Sequence, residues 1–126
     1  MTDQAALQDQ LILELYVRDI GASTRFYQQL GFALHRDDGN FVELRWDRSL
    51  IYLEQAPEAP RPPAPLVGNV RVLVPDVDRY WRLAQQLGAP VIRPIADRPY
   101  GLRDFTIAGP DGIGLRFASR LADGGH

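Results

Sequence analysis

Four carboxylates, Glu14, Glu43, Glu54 and Asp104, stand at alternating positions of segments rich in apolar residues. Gathered on one surface, such oxygen donors suit Mg²⁺ or Mn²⁺, and a carboxyl with a raised pKa can move protons without any metal. Arg71 and Arg116 carry the opposite charge on planar guanidinium groups that match a carboxylate or a phosphate. Tyr52 and Phe41 can stack on planar groups, and Tyr100 adds a phenol in the segment Arg98-Pro99-Tyr100-Gly101. The chain has two histidines, His35 and His126, and no cysteine. Disulfides, zinc–thiolate centres and a cysteine nucleophile are therefore excluded. Gly109-Pro110-Asp111-Gly112 is a turn without the lysine of a phosphate loop, and no nucleophile triad or nucleic-acid motif is present.

Positioning such side chains falls to a chain of 126 residues, enough for one modest core or for two half-size units sharing one. It is 45 % apolar and 24 % charged, with a net charge of −2, so neither a nucleic acid nor a polyanion is an expected partner. Residues 1–10 lack a basic start followed by an apolar run, so no secretion signal is expected. No stretch approaches the roughly 18 apolar residues of a membrane helix. The cytoplasm is the expected location, and membrane association is not expected.

An internal repeat organises the sequence. Leu13-Glu14-Leu15-Tyr16-Val17-Arg18-Asp19-Ile20 aligns with Val70-Arg71-Val72-Leu73-Val74-Pro75-Asp76-Val77 at an ungapped offset of 57, and Gln28-Gln29-Leu30-Gly31 falls on Gln85-Gln86-Leu87-Gly88 at the same offset. Testing for such repeats early prevents a misread fold. Each copy begins with a strand of period two, then a helix capped by Asp19 or Asp76 and ended by Gly31 or Gly88. Further strands are expected over 32–36, 41–46 and 50–55, and over 91–95, 102–108 and 114–118. The stretch 57–65 holds five prolines in nine residues and reads as a stiff linker. The tail from Leu121 is expected to fray.

This pattern resembles the vicinal-oxygen-chelate superfamily of glyoxalases, dioxygenases and bleomycin-resistance proteins. Three stretches carry the resemblance: Leu15–Asp19 with Ser23, Phe26-Tyr27 and Leu30-Gly31-Phe32; Val74–Val77 with Leu87–Val91; and Arg98–Phe105 with Pro110-Asp111-Gly112. The resemblance implies an α+β fold of two βαβββ units, 11–55 and 68–118, joined by linker 56–67 into one domain over 1–126. It implies that the units' curled mixed sheets line one cup, and that the protein is a homodimer. Enzymes of the superfamily hold a divalent metal there through His, Gln or Glu at four positions. Carried over one at a time, those positions fall on Ile12, Tyr52, Asn69 and Arg116. A hydrocarbon offers no lone pair and a guanidinium repels a cation, so no metal and no cofactor are expected.

Alternation then sorts the strands into two faces. Ile12, Glu14, Tyr16, Phe41, Glu43, Arg45, Leu50, Tyr52, Glu54, Asn69, Arg71, Leu73, Asp104, Thr106, Gly114 and Arg116 are expected to line the cup. Leu13, Leu15, Val17, Val42, Leu44, Ile51, Leu53, Val70, Val72, Val74, Phe105, Ile107, Leu115 and Phe117 are expected under the helices. Tyr100, Tyr52, Arg116, Arg71, Phe41, Glu14, Asn69 and Glu54 are the candidate contacts of a small organic ligand. Two readings of the arginines stay open, ligand contact or internal pairing with Glu14 or Glu54; Tyr100 likewise is either a ligand contact or a cover on the core edge. Trp46 and Trp81 read as core or dimer-contact residues, and His35 as a surface strand residue. The expected function is metal-free sequestration of a small molecule, similar to bleomycin-resistance proteins and so to antibiotic resistance, although their cationic ligands sit poorly with cup arginines. The alternatives are a glyoxalase-like lyase, isomerase or dioxygenase with a displaced metal or acid–base site, and a regulatory scaffold with a vestigial cup.

Overall fold

The structure, a computed structural model, describes residues 11–59 and 66–122. Most of the proline-rich linker and the end of the tail lie outside the described residues. The chain divides into two compact units, each with a four-stranded sheet and one helix.

The first unit runs β1 (Ile12–Val17), α1 (Ile20–Gln29), β2 (Ala33–Asp37), β3 (Phe41–Trp46) and β4 (Ser49–Gln55). Its sheet order is β1-β4-β3-β2, with β1 parallel to β4 and the other pairs antiparallel. Asp19 caps α1, as its position predicts, by accepting from the Ala22 N–H at 3.1 Å. Gln55 holds the strand-to-helix corner: its Oε1 accepts from the Ile20 N–H and its Nε2 donates to the Arg18 carbonyl, both at 2.8 Å. Tyr27, Leu30, Val42, Leu44 and Leu53 form the buried core, and an edge-to-face series runs through Phe26, Tyr27, Phe32 and Trp46.

The second unit repeats the order as β5 (Gly68–Leu73), α2 (Val77–Gln86), β6 (Val91–Asp97), β7 (Leu102–Ala108) and β8 (Ile113–Arg120). Its sheet order is β5-β8-β7-β6, with β5 parallel to β8. Tyr80 stacks on Phe117 at 4.7 Å and Trp81 meets Phe105 edge-on at 5.1 Å. Both tryptophans thus pack against core aromatic rings. Here the expected helix cap is corrected. Asp76 occupies the N-cap with extended backbone but makes no side-chain cap bond. The buried Ser119 hydroxyl from β8 does that work, accepting from the Val77 N–H and donating to the Val74 carbonyl, each at 2.8 Å.

In each unit the helix covers one sheet face and leaves the other, here called the open face, free of helix, although Leu50, Leu102, Asp104, Thr106 and Ala118 on that second face are buried. Alternation sorts most strand residues correctly: Leu15, Val17, Val42, Leu44, Ile51, Leu53, Val72, Phe105, Ile107, Leu115 and Phe117 are buried. Leu13 is the correction, with 43 % of its surface exposed. Its strand β1 is an edge, and α1 packs chiefly on β3 and β4. Among the described residues no helix is long and apolar enough to cross a membrane.

Candidate functional site

On the open face of the second unit, four side chains that the sequence scatters over 19 positions form one knot. Asp104 in β7 is fully buried, and both its oxygens are occupied. Its Oδ1 accepts from Arg98 Nε at 2.8 Å. Its Oδ2 accepts from Arg116 Nε at 3.1 Å, from Arg116 Nη2 at 2.6 Å and from the Tyr100 hydroxyl at 2.9 Å. Arg116 Nη2 also donates to the Tyr100 oxygen, and the Arg116 guanidinium lies 5.6 Å from the Tyr100 ring centroid. Burial pushes the Asp104 carboxyl up, but the bonds from Arg98, Arg116 and Tyr100 outweigh it and hold the group below its ordinary value.

Local sequence explains the knot. Arg98 and Tyr100 sit in the turn between β6 and β7, closed by the Gly101 N–H on the Arg98 carbonyl at 3.2 Å. Pro99 fixes the φ that the second turn position wants, and Gly101 takes φ +89°, which costs a glycine little. Arg98 is further held by its Nη2 on the carbonyls of Pro94 and Asp104. The turn therefore folds two side chains down onto Asp104. Of the two readings left open for Arg116, the internal pairing named Glu14 or Glu54, whereas the carboxylate that it pairs with is Asp104.

Beyond the knot, β5 sets Arg71 in register with Arg116 across the parallel pair, and β7 sets Thr106 opposite Arg116. Arg71 is exposed and has no hydrogen bond or ion pair among the described residues. Asn69, one step earlier on the same face, is in register with Gly114. A Cβ at Gly114 would come within 2.8 Å of Asn69 Oδ1 and of Leu66 Cδ1, and 3.0 Å from Thr106 Cγ2. Glycine is what lets those side chains close over the strand.

The first unit's open face is acidic instead. Tyr52 in β4 lies between Glu14 in β1 and Glu43 in β3, and Phe41 packs edge-on against Tyr52 at 5.2 Å. Glu14 is raised above its ordinary pKa, chiefly by a side-chain hydrogen bond with Glu54 and then by burial and by the Glu54 charge. Glu43 is approached by His35 at 3.7 Å and by Arg36 at 3.9 Å.

Of the sequence-derived candidates, the structure brings together Tyr100 with Arg116, Phe41 with Tyr52, and Glu14 with Glu54. Arg98 and Asp104 are the members of the knot that the candidate set omitted. The shared parity and opposite charge of Asp104 and Arg116 were visible, but their diagonal pairing across β7 and β8 was not, nor the turn that brings Arg98 onto Asp104. The four positions assigned to metal ligands by resemblance do not fit a divalent ion. Ile12 has no donor, and Arg116 places a cation where a ligand would stand. The carboxylate beside Arg116, Asp104, has both oxygens committed. Among the described residues, no three His, Asp or Glu side chains are grouped to hold a metal.

Residues 9–117 match the family described as the glyoxalase/bleomycin resistance protein/dioxygenase superfamily. No curated protein matches the chain. Among solved structures, a glyoxalase/bleomycin resistance protein/dioxygenase from Nocardioides is 21 % identical with TM-score 0.74, covering 98 % of this chain and 96 % of its own. A glyoxalase/dioxygenase from Nostoc punctiforme is 20 % identical with TM-score 0.76, over 86 % and 88 % of the two chains. The bleomycin resistance determinant encoded on transposon Tn5 is 19 % identical with TM-score 0.68, over 89 % and 98 %. At these identities the structures speak for the fold, and the family match covers most of the sequence: the chain belongs to the glyoxalase/bleomycin resistance protein/dioxygenase superfamily.

Proposed function

We propose that this protein is a metal-free container that sequesters a small organic ligand on the open faces of its sheets. One observation carries the reading. Where resemblance puts the last metal ligand, Arg116 stands locked to buried Asp104 by two hydrogen bonds. A fixed guanidinium serves ligand binding and opposes cation binding. Tyr52 with Phe41 in one unit, and Tyr100 in the other, supply aromatic surface beside polar groups, the usual make-up of organic ligand sites. The superfamily resemblance adds a homodimer working in the cytoplasm, and a resistance role for a ligand that is toxic.

The test is native mass spectrometry of protein purified without chelator, paired with elemental analysis. A bound organic mass with sub-stoichiometric metal is the expected result. Near-stoichiometric divalent metal would overturn the reading. A second reading, acid–base catalysis, is favoured by the Glu14–Glu54 carboxyl pair and its raised proton affinity. Turnover of the recovered ligand by wild type, lost in Glu14→Gln, would select it. Light scattering that gives a monomer at micromolar concentration would remove the dimer.

A further inference from the structure

The two open faces have opposite charge, although they descend from the same repeat. At the 57-residue offset Glu14 corresponds to Arg71, so β1 presents a carboxylate where β5 presents a guanidinium. The second unit's face then carries the guanidiniums of Arg71, Arg98 and Arg116 and, by register with Thr106 and Leu102, those of Arg93 and Arg120, against the carboxylate of Asp104. That carboxylate is buried and turned wholly to Arg98, Arg116 and Tyr100. The remaining positive charge therefore faces outward. Of the sheet's remaining arginines, Arg103 belongs to the helix-covered side and is tied to Asp78 at 3.0 Å and Asp97 at 3.1 Å, while Arg93 and Arg120 lie on the outer strand β6 and at the end of β8.

Arg71 differs from Arg98, Arg103 and Arg116, which are spent on carboxylates, and it alone stands in register with Arg116 on the parallel neighbour. It is exposed, in register with Arg116, and free of any hydrogen bond or ion pair among the described residues. Its neighbour one step along the face, Asn69, leans over Gly114 and brings a side-chain amide close to the same patch. A planar guanidinium with unspent donors beside an amide is matched to the two oxygens of an oxyanion. The neutralised Arg116–Tyr100 pair beside it offers a flat, weakly hydrated surface for an attached ring.

We infer that the second unit binds the anionic end of its ligand, a carboxylate or similar organic oxyanion, on Arg71, with Arg116 and Tyr100 as the platform for the ligand's body. This deepens the container reading and rests on it. It also sets the ligand's charge opposite to that of cationic glycopeptide drugs.

The test uses the full-length protein with two fluorescent probes of like shape, anilinonaphthalene sulfonate and uncharged phenylnaphthylamine. Wild type is expected to bind the sulfonate about tenfold or more tightly than the amine, a preference that shrinks as sodium chloride rises. Arg71→Gln should bring the two affinities within about twofold, with the urea midpoint unchanged, and Arg71→Lys should restore part of the preference. A Arg71→Gln variant that keeps the full preference would overturn the assignment. Equal binding of both probes by wild type would overturn it too, while leaving the container reading in place. Binding of neither probe would overturn both.

Discussion

Arg116 donates twice to one oxygen of Asp104, from Nε at 3.1 Å and from Nη2 at 2.6 Å, while Arg98 takes the other oxygen at 2.8 Å. The two arginines are not equivalent in what their partner needs. Removing Asp104 leaves two guanidiniums facing each other across a buried site; removing Arg116 leaves Asp104 still bonded to Arg98 and Tyr100. Asp104→Asn is therefore expected to cost about 3 kcal/mol, as for breaking a buried pair from one side. Arg116→Met should cost less, about 1–2 kcal/mol, in line with a charge-assisted hydrogen bond. Urea unfolding of both variants checks the order, and a larger loss for Arg116→Met would show that the knot is not centred on Asp104.

The same carboxylate dictates behaviour in acid. Its folded pKa lies below the ordinary 3.8, so its stabilisation is present above 3.8 and lost as pH falls through the lowered value. Wild type should lose thermal stability on acidification more steeply than Asp104→Asn over that range. Parallel melting curves for the two proteins below pH 4 would contradict the pairing.

Why part of this was legible and part was not follows from the range of each interaction. The sorting of Val42, Leu44, Phe105 and Phe117 to the covered face needs only a period of two, which is local to each strand. The repeat at offset 57 fixed where strand and helix recur, because both copies keep the Asp and Gly that begin and end the helix. The Asp104 knot depends instead on the register of β7 against β8 and on a turn that folds Tyr100 back, neither of which is local. Leu13 failed for a related reason: parity says which side a residue faces, and cannot say whether a helix reaches over an edge strand.

The replacement of Asp76 by Ser119 as the cap of α2 is the sharpest such non-local case. Ser119 is buried and joins the Val77 N–H to the Val74 carbonyl, so Ser119→Ala leaves two buried backbone groups short of a partner. It should cost about 1–2 kcal/mol, whereas Asp76→Ala, which loses no cap bond, should stay within about 0.5 kcal/mol. In α1 the work is shared, because Asp19 bonds the Ala22 N–H directly while Gln55 takes the Ile20 N–H. Equal losses for Ser119→Ala and Asp76→Ala would remove Ser119 from the role.

Glu14 predicts a pH effect of opposite sign to Asp104. Its hydrogen bond with Glu54 raises its folded pKa above the ordinary 4.5. The folded state then keeps a proton that the unfolded chain has given up. The stabilisation is full below 4.5 and is lost as pH rises through the raised value. Glu14→Gln keeps a donor toward Glu54 without a proton to lose, so its melting temperature should overtake that of wild type as pH climbs toward neutrality. A difference that stays constant from pH 4 to 8 would mean that the two carboxyls do not share a proton.

Gly114 gives a prediction that separates space from stability. A methyl group there meets the ends of two flexible side chains, Asn69 Oδ1 and Leu66 Cδ1, each at 2.8 Å, and the Thr106 methyl at 3.0 Å. The backbone at this position is not among those with positive φ, so alanine brings no dihedral strain. Asn69 and Leu66 can swing aside, and the chain should fold with a loss of about 1 kcal/mol or less. The displaced amide, however, no longer lies beside Arg71. Gly114→Ala should therefore weaken binding of the sulfonate probe several-fold while leaving the uncharged probe alone, and doubling the substitution with Arg71→Gln should add nothing further to that loss. Full additivity of the two changes would place Asn69 outside the patch that Arg71 serves.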